Sequence, residues 1–396
     1  MSIWLSTLEA AKNDLAQSGM TRTLKIRESP NAATVNLNGQ EKLAFCSNDY
    51  LGLSYHPELI AALHEGSKLY GTGSGASSLI SGHTSIHAEL EQRLAKTQSL
   101  HIPNAGASYI STGFMANIAV ITALATLGNI SIYSDALNHA SIIDAIRLAK
   151  ASSKAHCFVY PHADFDQLHQ LLTRDSNPLK LIVSDGVFSM DGDIVDLPQL
   201  LAISKRFDAL LYIDDAHGFG VLGAKGHGIL EHFNIQANNL IYMGTLGKSA
   251  GIAGAFVVAQ QEWIDWLIQK ARAIIYSTAP PPNLAFALLK SIDLITGEVG
   301  TKRRSHLNTL IEYWTTHAKF TNWQTIPSQT AIQPLIIGSN LDVLKVSEQL
   351  SSANLWVPAI RPPTVPINTG RLRIALNALH EIDHLEILIR RLKEIQ

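Results

Sequence analysis

The chain has 396 residues, 46% of them hydrophobic and 16% charged, and a formal net charge of -2; that length suits two domains or one large α/β unit with a smaller partner. Its Lys/Arg residues form no cluster beyond pairs such as Arg303-Arg304 and Arg390-Arg391, which argues against a nucleic-acid binder. The two cysteines, Cys46 and Cys157, make neither a metal-type spacing nor a disulfide framework, as in a reducing compartment.

The N-terminal stretch MSIWLSTLEAAKNDLAQSG reads as an amphipathic helix and lacks the charged start and long apolar centre of a signal peptide. No apolar run approaches the ~20 residues that a bilayer-crossing helix needs. The expectation is a cytoplasmic protein with no membrane and no nucleic-acid partner.

Between about residues 105 and 260, β-rich runs at 107–110, 130–134, 156–160, 179–184, 209–214, 240–244 and 255–259 alternate with helical segments such as 115–127, 139–149 and 197–207. Alternation of this kind predicts a parallel sheet with helices on both faces. Ligands of such sheets bind beyond the carboxyl ends of the strands. Four of those ends are rich in ionisable residues: DALNHAS (135–141), DGVFSMDGD (185–193), DDAHGFGVLG (214–223) and TLGKS (245–249).

Beyond residue 283, three helical stretches lead into runs at 332–338, 356–360 and 372–376 and a final helix from about His380. The predicted division is therefore an N-terminal segment (1–50), a large domain (51–283) and a smaller α+β domain (284–396).

Three motif matches carry less than they promise. A Walker A loop needs glycine five residues before Gly247, where the chain has Tyr242, so Lys248 is no P-loop lysine. Gly218-x-Gly220-x-x-Gly223 satisfies the dinucleotide pattern, but Asp214 and Asp215 stand where a pyrophosphate would arrive. His380-Glu381-Ile382-Asp383-His384 matches the zinc-protease pattern, yet Leu385, Ile389 and Leu392 continue it as a core-facing stripe. No metal site is expected there.

A lone lysine in a tight turn, an aspartate ending a strand, and histidines and serines at neighbouring strand ends suit pyridoxal 5'-phosphate (PLP). That cofactor needs an amine to bind it covalently and a carboxylate opposite its pyridine nitrogen. Its phosphate needs backbone N–H donors at a helix start, and Ser111-Thr112-Gly113 runs straight into a helical segment.

The segments SNDYLGL (47–53), GSGASSLISGHTSIHAELE (73–91), STGFMAN (111–117), LNHAS (137–141), DGVFSMDGD (185–193), DDAHGFGVLG (214–223), GTLGKSAG (244–251) and IYST (275–278) resemble the α-oxoamine synthase family. These are PLP-dependent acyltransferases of fold type I, the aspartate-aminotransferase-like α/β fold, and the matches run in family order from about residue 20 to 376. AIQPLIIG (331–338), AIRPPTVP (359–366) and GRLRIAL (370–376) most resemble the member that joins L-alanine to a pimeloyl thioester in biotin biosynthesis. The carrier, CoA or acyl-carrier protein, stays open. So do a sibling ligase that uses glycine and acetyl-CoA, other α-oxoamine synthases, and a non-catalytic subunit of the same fold. Such a subunit would lose the lysine.

The resemblance implies that Lys248 binds the cofactor covalently and that Asp214 pairs with its ring nitrogen. His139 would stack on the ring, with Ser189 and His217 on the phenolic oxygen. Gly113, Phe114 and Thr245 would hold the phosphate, and Ser277-Thr278 would reach the phosphate of a second subunit in a homodimer with shared active sites. Arg22, Asn48, His139, Arg361 and Thr364 would contact substrate, Arg361 gripping the carboxylate. Catalysis would fall to Lys248, His139, Asp214 and His217. Leu246 stands where the family more often has an aromatic residue.

Overall fold

Seven strands form the central sheet in the order Ala105–Ile110, Ala255–Gln260, Leu240–Thr245, Leu210–Asp214, Leu179–Asp185, Ile130–Asp135 and His156–Tyr160. The five from Leu240–Thr245 to His156–Tyr160 run parallel, whereas Ala255–Gln260 is antiparallel to both of its neighbours. Every residue of Ile130–Asp135 and of Leu240–Thr245 is buried, as expected of strands covered on two faces. Successive side chains divide between two cores: Ile182, Ile213 and Tyr242 enter one, and Val183, Tyr212 and Met243 the other. That division is the two-residue period of a strand.

This computed structural model describes residues 2–396, in two compact units. All seven sheet strands lie where the sequence pattern places them. Four run one residue further than predicted, taking in Asp135, Asp185, Thr245 and Gln260.

The division into domains differs from the expectation. The larger unit holds 51–189 and 194–304, the smaller one 1–50, 190–193 and 305–396. Residues 284–304 stay with the larger unit because helix Pro282–Thr296 adds Ala285, Leu288 and Ile292 to its core. It also packs so close to helix Pro57–Tyr70 that a Cβ on Gly66 would fall 2.9 Å from Phe286 Cβ. The first fifty residues are no separate segment, because strand Gln40–Ala44 pairs with Leu355–Trp356.

In the smaller unit, strands Thr34–Leu37, Gln40–Ala44 and Leu355–Trp356 make one sheet. Gln324–Thr325, Ile332–Gly338, Gly370–Ala375 and Ala359–Ile360 make another. The run expected at 356–360 is therefore two short strands in different sheets, separated at Pro358, which has no N–H to give to a ladder. Two helices of the predicted three, Pro282–Thr296 and Glu298–His317, precede Ile332–Gly338. The N-terminal helix Ile3–Gln17 forms as expected but buries none of its residues.

Candidate active site

The carboxyl ends of the parallel strands open into a cavity of about 190 Å³ in the larger unit. Lys248, Asp214, His139, His217, Ser189, Thr245, Gly113 and Phe114 all line it. The structure thus brings eight of the sequence-derived candidates into one place.

Lys248 follows the strand Leu240–Thr245 in a turn closed by backbone bonds. Leu246 N–H donates to Gly254 O at 2.8 Å, Gly251 N–H to Lys248 O at 2.8 Å and Ile252 N–H to Leu246 O at 3.1 Å. Leu246 is wholly buried in the larger core, so its departure from an aromatic residue is absorbed by packing. Lys248 Nζ lies 2.7 Å from His217 Nε2, which aims the amine into the cavity from a side chain one strand away.

Asp214 ends its strand with both oxygens engaged: Oδ1 accepts from Ala216 N–H at 3.0 Å and Oδ2 from Asn117 Nδ2 at 2.8 Å. Helix Gly113–Ala125 begins at the cavity wall, with Thr112 as its cap accepting from Met115 N–H at 3.1 Å. The cap and the first helical bond, Ala116 N–H to Thr112 O, leave the N–H groups of Gly113 and Phe114 for the cavity. A helix start with unbonded N–H groups attracts an anion.

His139 caps helix Ala140–Ser152 through Nδ1, which accepts from Ser141 N–H at 3.2 Å and lies 2.6 Å from Ser141 Oγ. Desolvation holds its pKa below the usual imidazole range, and the positive charge of Lys248 acts in the same direction while Asp214 opposes both. Thr245 Oγ donates to Gly254 O at 3.1 Å, so its hydroxyl is engaged in the lysine turn as well as lining the cavity.

The other candidates are not among the residues lining this cavity. Ser277 and Thr278 border a separate cleft with Ser78, Tyr109 and Met115, and Thr278 bridges to Ser77. Arg22, Asn48, Arg361 and Thr364 belong to the smaller unit. There Arg361 donates to the carbonyls of Gly19 and Thr21, Thr364 N–H donates to Arg361 O at 3.1 Å, and Asn48 Oδ1 accepts from Arg373 at 3.0 Å. Burial, and then the neighbouring Arg22 charge, lower the pKa of Arg361.

Sequence reasoning missed Asn117, Ser141 and Asp185, which also line the cavity. Asp185 is the last residue of strand Leu179–Asp185, and that position was its one visible signal. It is buried, Oδ2 accepts from His139 N–H at 3.1 Å, and Oδ1 has no partner.

The discounted motifs have structural employment. Gly220 (φ 90°) and Gly218 leave room for Ser249 and for the Asp215 carboxylate, which a Cβ would approach within 2.6 and 2.0 Å respectively. Asp215 Oδ2 in turn accepts from Ile229 N–H at 2.7 Å and Tyr242 O–H at 2.8 Å, and burial pushes its pKa up to about 7. His380 Nδ1 accepts from Asn377 N–H at 3.1 Å, and its Nε2 lies 3.1 Å from Ala44 O. His384 Nδ1 accepts from Glu381 N–H at 3.0 Å in a capping box.

An amine, a well-bonded carboxylate, two unbonded helix N–H groups and a buried carboxyl oxygen without a partner converge on one cavity. That donor set fits PLP. It offers covalent attachment, a partner for a protonated pyridine and a seat for a phosphate.

Comparison with known proteins agrees. Residues 40–392 match the family model for class I and II aminotransferases, and the chain belongs to that family, the PLP-dependent enzymes of fold type I. Curated relatives that it matches are 8-amino-7-oxononanoate synthases. The one from Janthinobacterium sp. (strain Marseille) is 49% identical over 396 residues, covering 100% of this chain and 99% of the relative. The one from Leptothrix cholodnii is 52% identical over 380 residues, covering 92% of each. Among solved structures, serine palmitoyltransferase from S. paucimobilis with a bound PLP–myriocin adduct aligns at TM-score 0.88 and 25% identity, over 100% of this chain and 98% of that one. An 8-amino-7-oxononanoate synthase from Francisella tularensis aligns at TM-score 0.73 and 29% identity, over 89% and 98%.

Proposed function

We propose that this chain condenses L-alanine with a pimeloyl thioester to give 8-amino-7-oxononanoate, CO2 and the free carrier thiol, CoA or acyl-carrier protein, as a step of biotin biosynthesis. The observation that carries the reading is the Lys248–His217 contact of 2.7 Å in a cavity that also holds Asp214 and the open start of helix Gly113–Ala125. Relatives about half identical over nearly the full length and named 8-amino-7-oxononanoate synthase support the substrate pair.

PLP, when bound, withdraws the electron pair left at the alanine Cα. This chain's residues do the rest. Lys248 Nζ removes the Cα proton and returns one after CO2 departs. His217 orients that amine and, with Ser189, the ring's phenolic oxygen. Asp214 keeps the pyridine nitrogen protonated, and its own two hydrogen bonds fix its direction. Gly113 and Phe114 N–H would hold the phosphate, joined by Thr245 once its hydroxyl turns away from Gly254 O. His139 covers the ring face and orients the acyl carbonyl. Arg22, Asn48, Arg361 and Thr364 bind substrate, with Arg361 on the alanine carboxylate. The net change is one C–C bond made, the thioester C–S bond broken and one carboxylate lost as CO2.

A homodimer is part of this reading. Helix Ile3–Gln17 exposes Ile3, Trp4, Leu5 and Leu8, and the larger unit exposes Leu79, Ile80 and Tyr276. Apolar surface of that extent suits burial against a second copy, which would bring the partner's equivalents of Ser277 and Thr278 to the phosphate. Among the described residues no helix is long and apolar enough to cross a membrane, and we place the enzyme in the cytoplasm.

The test is product formation from a panel of amino acids against a panel of acyl thioesters. Turnover with alanine and a pimeloyl thioester is the expected result. A strong response only to glycine plus acetyl-CoA would overturn the substrate assignment.

A further inference from the structure

Asn117 stands one turn into the helix that starts at Gly113, buried at 1% exposure, and its amide joins the polar groups of the cavity. Nδ2 donates to Asp214 Oδ2 at 2.8 Å and to Ser141 Oγ at 2.7 Å, and Tyr212 O–H donates to Oδ1 at 2.5 Å. This amide orientation is forced, because the reverse one would set a carbonyl oxygen against the Asp214 carboxylate.

The direction of the next bonds follows. Ser141 Oγ accepts from Asn117 and lies 2.6 Å from His139 Nδ1, with its own proton left to donate on that side because Nδ1 already accepts from the backbone. Ser141 N–H donates to the same nitrogen at 3.2 Å. A nitrogen that accepts twice carries no proton, and neutral His139 therefore has its hydrogen on Nε2.

We propose that Asn117 and Ser141 are positioning residues that hold His139 in its Nε2–H form and fix its ring relative to the Asp214 carboxylate. The relay runs from Asp214 through Asn117 and Ser141 to Nδ1. The remaining ring nitrogen is left as a donor for an acyl oxygen in the cavity, a role that rests on the function proposed above. Asp214 from one strand end, Lys248 from the next turn and Asp185, which accepts from the backbone N–H of His139 at 3.1 Å, are the titratable groups around this ring. Protonation at Nδ1 forfeits both accepted bonds. The relay thus adds to the desolvation that already disfavours the imidazolium.

Nitrogen-15 NMR of the holoenzyme with labelled histidine tests this without any substrate. In the wild type the His139 signals should be those of a protonated Nε2 and an unprotonated Nδ1. Ser141→Ala should raise the Nδ1–H population about fivefold, the worth of one ordinary hydrogen bond, and should move the titration of His139 to higher pH. Asn117→Ala should loosen the same preference through the freed hydroxyl. A wild-type ring protonated on Nδ1 would overturn the proposal, as would tautomer populations unchanged in both variants. Because neither alanine nor thioester enters the measurement, an error in the substrate assignment would leave its outcome intact.

Discussion

Asp185 and Asp214 stand opposite each other, in register, at the ends of adjacent parallel strands, both buried. Asp214 has two donors, whereas Asp185 has one and a bare Oδ1. Burial, and after it the charge of Asp214, push the Asp185 carboxyl well above the ordinary carboxylate range. The geometry makes Asp185 the member of the pair that keeps a proton.

A carboxyl with a raised folded pKa binds its proton more tightly folded than unfolded. Its stabilising effect is full below the unfolded pKa, near 3.8, and is lost as pH rises towards the folded value. Asp215, at about 7, has the same sign. The apoenzyme should therefore lose thermal stability as pH rises above about 4 from these two groups, the Asp215 share being lost by about pH 7. Asp185→Asn, which retains an acceptor for the His139 N–H, should melt higher than wild type at pH 8 and match it near pH 4. Melting curves at those two pH values check this, and equal offsets at both would contradict it.

The glycine pattern at 218–223 supports the lysine turn. Gly220 sits at φ 90°, and a Cβ there would lie 2.6 Å from Ser249 Cβ, next to Lys248. Gly220→Ala should cost at least about 2 kcal/mol through strain and overlap. It should also weaken PLP retention, because the turn must shift to admit the methyl group. Thermal melting together with cofactor absorbance after dialysis reads both effects.

The pair His380 and His384 serves backbone caps. A chelator should leave turnover unchanged, and His384→Ala should lose about 1 kcal/mol, the worth of a capping bond. Loss of activity on chelation, restored by zinc, would contradict the capping account.

Much of the fold was legible because buried parallel strands such as Leu240–Thr245 are nearly unbroken apolar runs. Lys248, Asp214, His139 and His217 were legible because each stands at or just past a strand end. Asn117 and Ser141 were not, since their meaning depends on side chains 24 and 97 residues apart meeting in space. Asp185 looked like a turn residue before Gly186. Thr245 was expected on the phosphate, and only the return of the chain at Gly254 shows that its hydroxyl proton goes to that carbonyl. The split at Pro358 lay in plain view, but proline in a short apolar run does not say which sheet each half will join.

Lys248 bears the central claim. In the wild type its Nζ is the one lysine amine lining the cavity among the described residues. Lys248→Ala should fold, bind PLP only reversibly, lose the visible absorbance of the covalently held cofactor, and make no 8-amino-7-oxononanoate from alanine and a pimeloyl thioester. Retained turnover in that variant would contradict the account.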